Sequence, residues 1–134
     1  MKGIKLNYSQ KIISISLGLV YLWFGGLKFF PGLSPAEDLA IDTINNLSFS
    51  LLPGHISIFI LAIWETLIGF MLLLMRPYRW VLIICLIHLF LTFTPLLFFP
   101  EDIFNQDFGL SLTGQYIIKN LVLIAAALNL FRKR

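Results

Sequence analysis

The sequence predicts an all-α integral membrane protein: a four-transmembrane-helix antiparallel bundle with a short amphipathic helix in its first outer loop. Three observations predict it. Of 134 residues, 58% are hydrophobic and 13% charged, against roughly half and about a quarter in a soluble chain. Four stretches, 12–30, 56–75, 80–99 and 114–131, reach the ~20 mainly apolar residues that a spanning helix needs. The segments between them sort their charges by sign. A single membrane domain is expected over 1–134.

The same arithmetic excludes other classes. A chain with a mean hydropathy of +0.87 cannot cover itself with polar surface in water, and it is too apolar to remain disordered. One cysteine, Cys85, cannot make a disulfide scaffold. The net charge of +3 is not gathered into a basic patch interleaved with polar surface, so no nucleic-acid partner is expected.

The first span follows Lys2, Lys5 and Lys11. Its apolar run is too long for a secretory signal, and Phe24-Gly25-Gly26-Leu27-Lys28-Phe29 offers no small-residue cleavage site, so it reads as a retained helix. The N-terminus, the Arg76–Arg79 turn and Arg132-Lys133-Arg134 hold eight basic residues and no acid. The other two loops hold Glu37, Asp38, Asp42, Glu101, Asp102 and Asp107 and no base. The positive-inside rule then places both termini in the cytoplasm, with Tyr78 and Trp80 in the inner aromatic belt. The tight Arg76-Pro77-Tyr78-Arg79 turn predicts that spans two and three are antiparallel neighbours.

In the first outer loop, Ser34-Pro35-Ala36-Glu37 reads as a capping box with proline at the first helical position. Ala36, Ala40, Ile44 and Leu47 then line one face of an amphipathic segment over 35–48, lying on the outer surface or packed over the bundle. The second outer loop, Pro100 to Thr113, is acidic and aromatic (Phe104, Phe108), with Ser111 or Thr113 available to cap span four. Thr94-Pro95 inside span three predicts a kink or early helix end, with Thr92 and Thr94 satisfying the freed carbonyls.

Three charges and a histidine fall inside spans: Lys28, Glu65, His88 and Lys119. A charge at bilayer centre costs about 2.5–3.5 kcal/mol on insertion scales, so such residues face the bundle interior or a cavity. Helical spacing aligns Ser14, Gly18, Tyr21, Gly25 and Lys28 on span one, and Ala62, Glu65 and Gly69 on span two. It aligns Cys85, His88 and Thr92 on span three, and Gln115, Lys119, Val122, Ala126 and Asn129 on span four. Small residues on these stripes permit close packing in lipid, which predicts that all four face inward.

Counted along the helix axes from the outer boundary, Gln115 and Lys28 lie roughly 2–5 Å deep, Lys119 roughly 8–9 Å, and Glu65 and His88 roughly 15–17 Å. These depths predict a Lys119–Glu65 ion pair, with His88 or Asn120 completing the hydrogen bonds. Lys28, near a helix end, reads as an interfacial anchor. The Glu65–Lys119 pair reads either as a device that fixes helix register or as part of a ligand site open to the outer face. Two lysines against one glutamate favour an anionic or carbonyl-bearing ligand there. Trp64 and Tyr116 are candidates for stacking on a planar ligand, with packing as the alternative. No metal site is expected, because Cys85 and His88 lack further ligand spacing.

Tyr21-Leu22-Trp23-Phe24-Gly25-Gly26-Leu27-Lys28-Phe29-Phe30-Pro31-Gly32, followed by Ser34-Pro35-Ala36-Glu37, resembles the first-span end and following loop of bacterial DoxX-like membrane proteins. Glu65, His88 and Gly114-Gln115-Tyr116-Ile117-Ile118-Lys119-Asn120-Leu121 match as well. The resemblance implies a four-helix bundle in a bacterial inner membrane. It also implies kinship with small subunits of thiosulfate:quinone oxidoreductases and with redox-stress or membrane-assembly proteins. It carries no catalytic residue set, and fold-level likeness fixes function weakly.

The reading that follows is a redox-linked protein that binds a quinone or similar amphipathic molecule. The cluster comprises Lys28, Glu65, His88, Gln115, Lys119 and Asn120, with Trp64 and Tyr116 against the ring. No cofactor motif is identified in the chain itself, so electron transfer requires a redox partner. The alternative is a non-enzymatic lipid-binding or membrane-protein assembly module, and a homo-oligomer is open to either.

Overall fold

The computed structural model describes residues 3–75, 77–105 and 109–132; Arg76, Asp107, Phe108 and Lys133-Arg134 of the loop and tail expectations lie outside the described residues, as does Lys2. The chain is all-helical: α1 (Tyr8–Leu27), α2 (Glu37–Leu47), α3 (Gly54–Leu73), α4 (Arg79–Leu91), α5 (Pro95–Phe98), α6 (Pro100–Ile103) and α7 (Leu112–Phe131). Tyr8–Leu27, Gly54–Leu73, Arg79–Phe98 and Leu112–Phe131 are each 20 residues long and apolar. At ~1.5 Å per residue that matches the ~30 Å hydrocarbon layer, and the chain is a four-helix membrane bundle. We call the end carrying α2 and α6 the loop end, and the opposite end the terminal end.

Local chemistry sets the helix boundaries. α1 starts four residues earlier than its apolar run because Asn7 and Gln10 form a capping box: Asn7 Oδ1 accepts from the Gln10 N–H at 2.9 Å and Gln10 Oε1 from the Asn7 N–H at 3.1 Å. The Gln10 amide also donates to the carbonyls of Asn129 and Arg132, which ties the start of α1 to the end of α7.

Thr92 ends α4, and its hydroxyl donates to the Leu89 carbonyl at 2.6 Å, while that of Thr94 donates to Leu91 at 2.7 Å. Pro95 then opens α5. The proline break and its threonine compensation stand as expected.

At the second loop, Ser111 is the N-cap of α7 and its Oγ accepts from the Gly114 N–H at 3.0 Å. The same hydroxyl donates to the Asp102 carbonyl. Ser111→Ala is expected to lower stability by about 0.5–2 kcal/mol; thermal unfolding in detergent and exchange of the Gly114 amide proton check it.

The predicted capping box of α2 is not formed. The helix begins at Glu37, after Ala36 in the left-handed region (φ 53°) and with no side-chain cap. Ser34 Oγ points to the Pro35 carbonyl, and Glu37 Oε2 accepts from the Gly32 N–H at 2.9 Å. The carboxylate fastens the loop rather than the helix start, because the left-handed step at Ala36 removes Ser34 from capping range.

Glycines decide which helices touch. α1 packs along α3 as the tightest pair, with Gly18, Gly25 and Gly69 in the seam. A Cβ on Gly69 would stand 2.8 Å from the Leu22 nitrogen, and one on Gly25 2.9 Å from both Glu65 Cβ and the Thr66 nitrogen. Ser14 Oγ donates across this seam to the Leu72 carbonyl at 2.6 Å. α7 packs against both α1 and α4. The tight turn makes α3 and α4 antiparallel but not close neighbours, since they share little contact. The seam draws α3 onto α1, and α4 instead finds α7. The core formed by Leu17, Tyr21, Ile68, Leu72, Leu82, Cys85, Leu89, Ile124, Ala127 and Leu130 fills the terminal half, leaving the loop half open inside.

Candidate functional site: a roofed cavity with a charged wall

That open half is a cavity of about 650 Å³, within the range of small-molecule sites. Tyr21 and Phe24 of α1 with Lys28 at its C-cap, Leu61 and Glu65 of α3, His88 and Leu89 of α4, and Tyr116, Ile117, Lys119 and Asn120 of α7 line its walls. The α2 face of Ala40, Thr43, Ile44 and Leu47 contributes the roof. The amphipathic segment thus packs over the bundle, one of its two expected positions.

The polar wall is continuous. Lys28 Nζ lies 2.7 Å from Glu65 Oε2, both side chains being about nine-tenths buried at 10% and 9% exposure. His88 Nε2 lies 3.3 Å from Glu65 Oε1. The other ring nitrogen, Nδ1, is 2.9 Å from the Tyr21 hydroxyl, and the Cys85 thiol donates to that hydroxyl at 3.4 Å. The ring is satisfied when it donates from Nε2 to Glu65 and accepts at Nδ1 from Tyr21, and equally when both nitrogens donate and the Tyr21 hydroxyl donates to the Cys85 carbonyl at 3.4 Å. Lys28 and Glu65 then cancel, and the chain of five residues joins α1, α3 and α4 across the gap between α3 and α4. Asn120 is anchored separately, donating to Thr92 Oγ1 at 2.8 Å, which pins α7 to the break after α4.

The expected Lys119–Glu65 pair is replaced by Lys28–Glu65. Side chains on a helix lean toward its N-terminus. α1 runs toward the loop end, so Lys28 leans down into the bundle. α3 and α7 run the other way, so Glu65 leans up to meet it while Lys119 leans away. The Lys119 ammonium lies 5.1 Å from the Tyr116 ring centroid instead, and Lys28 is no interfacial anchor.

The span-four stripe is also corrected. Gln115, Lys119, Val122 and Asn129 are exposed on α7, and its inward face is Gly114, Ile117, Ile124, Ala127 and Leu130. Gln115 therefore stands outside the cavity wall. Trp64 is 43% exposed on the outer face of α3 and is not in position to stack on anything inside. Tyr116 does line the cavity, edge-on to Phe24 with ring centroids 6.4 Å apart.

Two contributors were not singled out from sequence. Helical spacing puts Tyr21 on the inward stripe without reporting its bond to His88; its position two turns before Lys28 on one face is the available signal. Cys85, one turn before His88, is the other. Among the described residues no group of three or more His, Cys, Asp or Glu side chains is arranged to hold a metal ion.

Fold and site together define a multi-pass membrane protein with a roofed, ligand-sized cavity. No family model, curated protein or solved structure matches the chain.

Proposed function

We propose that this is a DoxX-like, redox-linked protein of the bacterial inner membrane, with both termini cytoplasmic, that binds a quinone or similar amphipathic molecule in the loop-end cavity. The observation that carries the reading is an apolar cavity of about 650 Å³ with a hydrogen-bonding wall built from Tyr21, Lys28, Glu65 and His88. A planar ring fits between apolar walls, and its carbonyl oxygens would accept from the N–H groups of Lys28, Lys119 and Asn120 that the wall's own bonds leave over. Charge that develops on such an oxygen during reduction is stabilised by the same donors. Glu65 and His88 are the groups able to hold a proton. The acidic loops and basic ends support the orientation.

Titration of the detergent-solubilised protein with a short-chain quinone is expected to give saturable binding of one molecule per chain. Asn120→Leu, which removes an amide with one N–H left over beside its bond to Thr92, is expected to weaken it roughly fivefold to tenfold, the value of one hydrogen bond. Absence of saturable binding, or binding unchanged when Ala40→Trp fills the space under the roof, overturns the reading. A stable membrane-protein complex insensitive to Glu65→Gln would then favour the assembly module.

A further inference from the structure

We infer that the cavity selects amphiphiles whose polar head is negatively charged, and that Lys119 is the residue that reads this charge. The inference rests on the cavity being a ligand site, as proposed above, and it specifies the ligand class.

Charge balance along the wall is the first support. Lys28 is neutralised by Glu65 at 2.7 Å, and His88 completes that carboxylate's bonding at 3.3 Å. Lys119 lines the same cavity from α7, yet the ion pairs among the described residues all centre on Glu65 and leave Lys119 without a carboxylate. Among the described residues the cavity therefore carries at Lys119 a positive charge with no carboxylate against it.

The second support is geometric. Lys119 is exposed while Tyr116 beside it is half-buried, so the ammonium stands at the mouth of the cavity with its stem along the wall. Among the described residues its aromatic partner is the Tyr116 ring, with the centroid 5.1 Å away, and a ring face occupies none of the ammonium's three donors in a conventional hydrogen bond. A cation against apolar walls gains most from an anion that supplies both charge and acceptors. Such a head beside Lys119 would let the apolar body reach inward under α2. A ring with an ionised hydroxyl and a fatty carboxylate share this chemistry.

The test uses the full chain in non-ionic micelles at mildly alkaline pH and compares probes that differ only in charge. They are a 3-alkyl-2-hydroxy-1,4-naphthoquinone, ionised there, its neutral 2-methoxy ether, and a fatty carboxylate with its chain-matched alcohol. Each ionised probe is expected to bind about tenfold tighter than its neutral twin. Lys119→Gln should remove the preference without weakening the neutral probes, and Lys119→Arg should retain it. Equal binding of the ionised ring and its ether, or a preference that survives Lys119→Gln, overturns the inference and leaves the quinone reading standing. A Lys119-dependent preference for the carboxylate with no ring bound supports the inference and removes the quinone reading. No binding of any probe overturns both.

Discussion

Glu65→Ala is expected to destabilise the protein by about 3–5 kcal/mol, the cost of removing one partner from a buried ion pair. The substitution strands the Lys28 ammonium, now held 2.7 Å from Glu65 Oε2, together with His88 Nε2 at 3.3 Å from Oε1. Both belong to a wall that bridges α3 and α4 where those helices hardly touch, so loss of the carboxylate also loosens the bundle. Glu65→Gln keeps a carbonyl acceptor for one of the two neighbours and should fall between wild type and alanine. The double change Lys28→Met with Glu65→Leu removes both charges together and should recover most of the loss, since a buried pair can be replaced by apolar residues at little cost. Thermal unfolding in detergent, monitored by helical circular dichroism, reads all three. An alanine variant as stable as wild type would mean that the pair is solvated and contributes nothing.

The second large effect lies in the glycine seam. Gly69→Ala is expected to cost about 1–3 kcal/mol, the range for overpacking, because the new Cβ would stand 2.8 Å from the Leu22 backbone nitrogen and 2.9 Å from the Gly18 carbonyl oxygen. Backbone on both sides cannot give way as a flexible side chain can. Gly26→Ala is the internal control: nothing stands within 4 Å of its would-be Cβ. Near the end of α1 that change should be neutral or stabilising by up to about 1 kcal/mol through helix propensity. The same unfolding measurement should separate the two alanines in opposite directions. Equal effects at both positions would remove the seam as the reason α1 and α3 pair.

The spans were legible because a bilayer imposes length and apolarity on any helix that crosses it. The inward faces of α1 and α3 were legible because Ser14, Gly18 and Gly25, and Ala62 and Gly69, are small residues at helical spacing, and close approach demands such residues. The break at Thr94-Pro95 and the Ser111 cap were legible from local backbone chemistry.

On α7 that logic misled. Gln115, Lys119 and Asn129 are polar and regularly spaced, but Gly114 and Ala127 mark the face that actually packs. Polarity predicts an inward face only where no exposed route to the interface exists, and Lys119 leans along one. The ion pair forms with Lys28 and not with Lys119 for a related reason. Depth counted along the axis locates Cα atoms, whereas the N-terminal lean of side chains carries Lys28 toward Glu65 and Lys119 away from it. The contact of Tyr21 with His88 spans helices distant in sequence, and no spacing rule reports such a pair.

The proposed amphipathic ring would occupy the space between the Tyr21–His88–Glu65–Lys28 wall and Tyr116, beneath α2. Nuclear Overhauser contacts from a bound alkyl naphthoquinone in micelles test it most directly. Contacts from ring protons to the side chains of Phe24, His88 and Tyr116 are the predicted result. Contacts confined to Trp23 and Trp64, which are 70% and 43% exposed on the outer faces of α1 and α3, would place the ring in the surrounding micelle and contradict the claim.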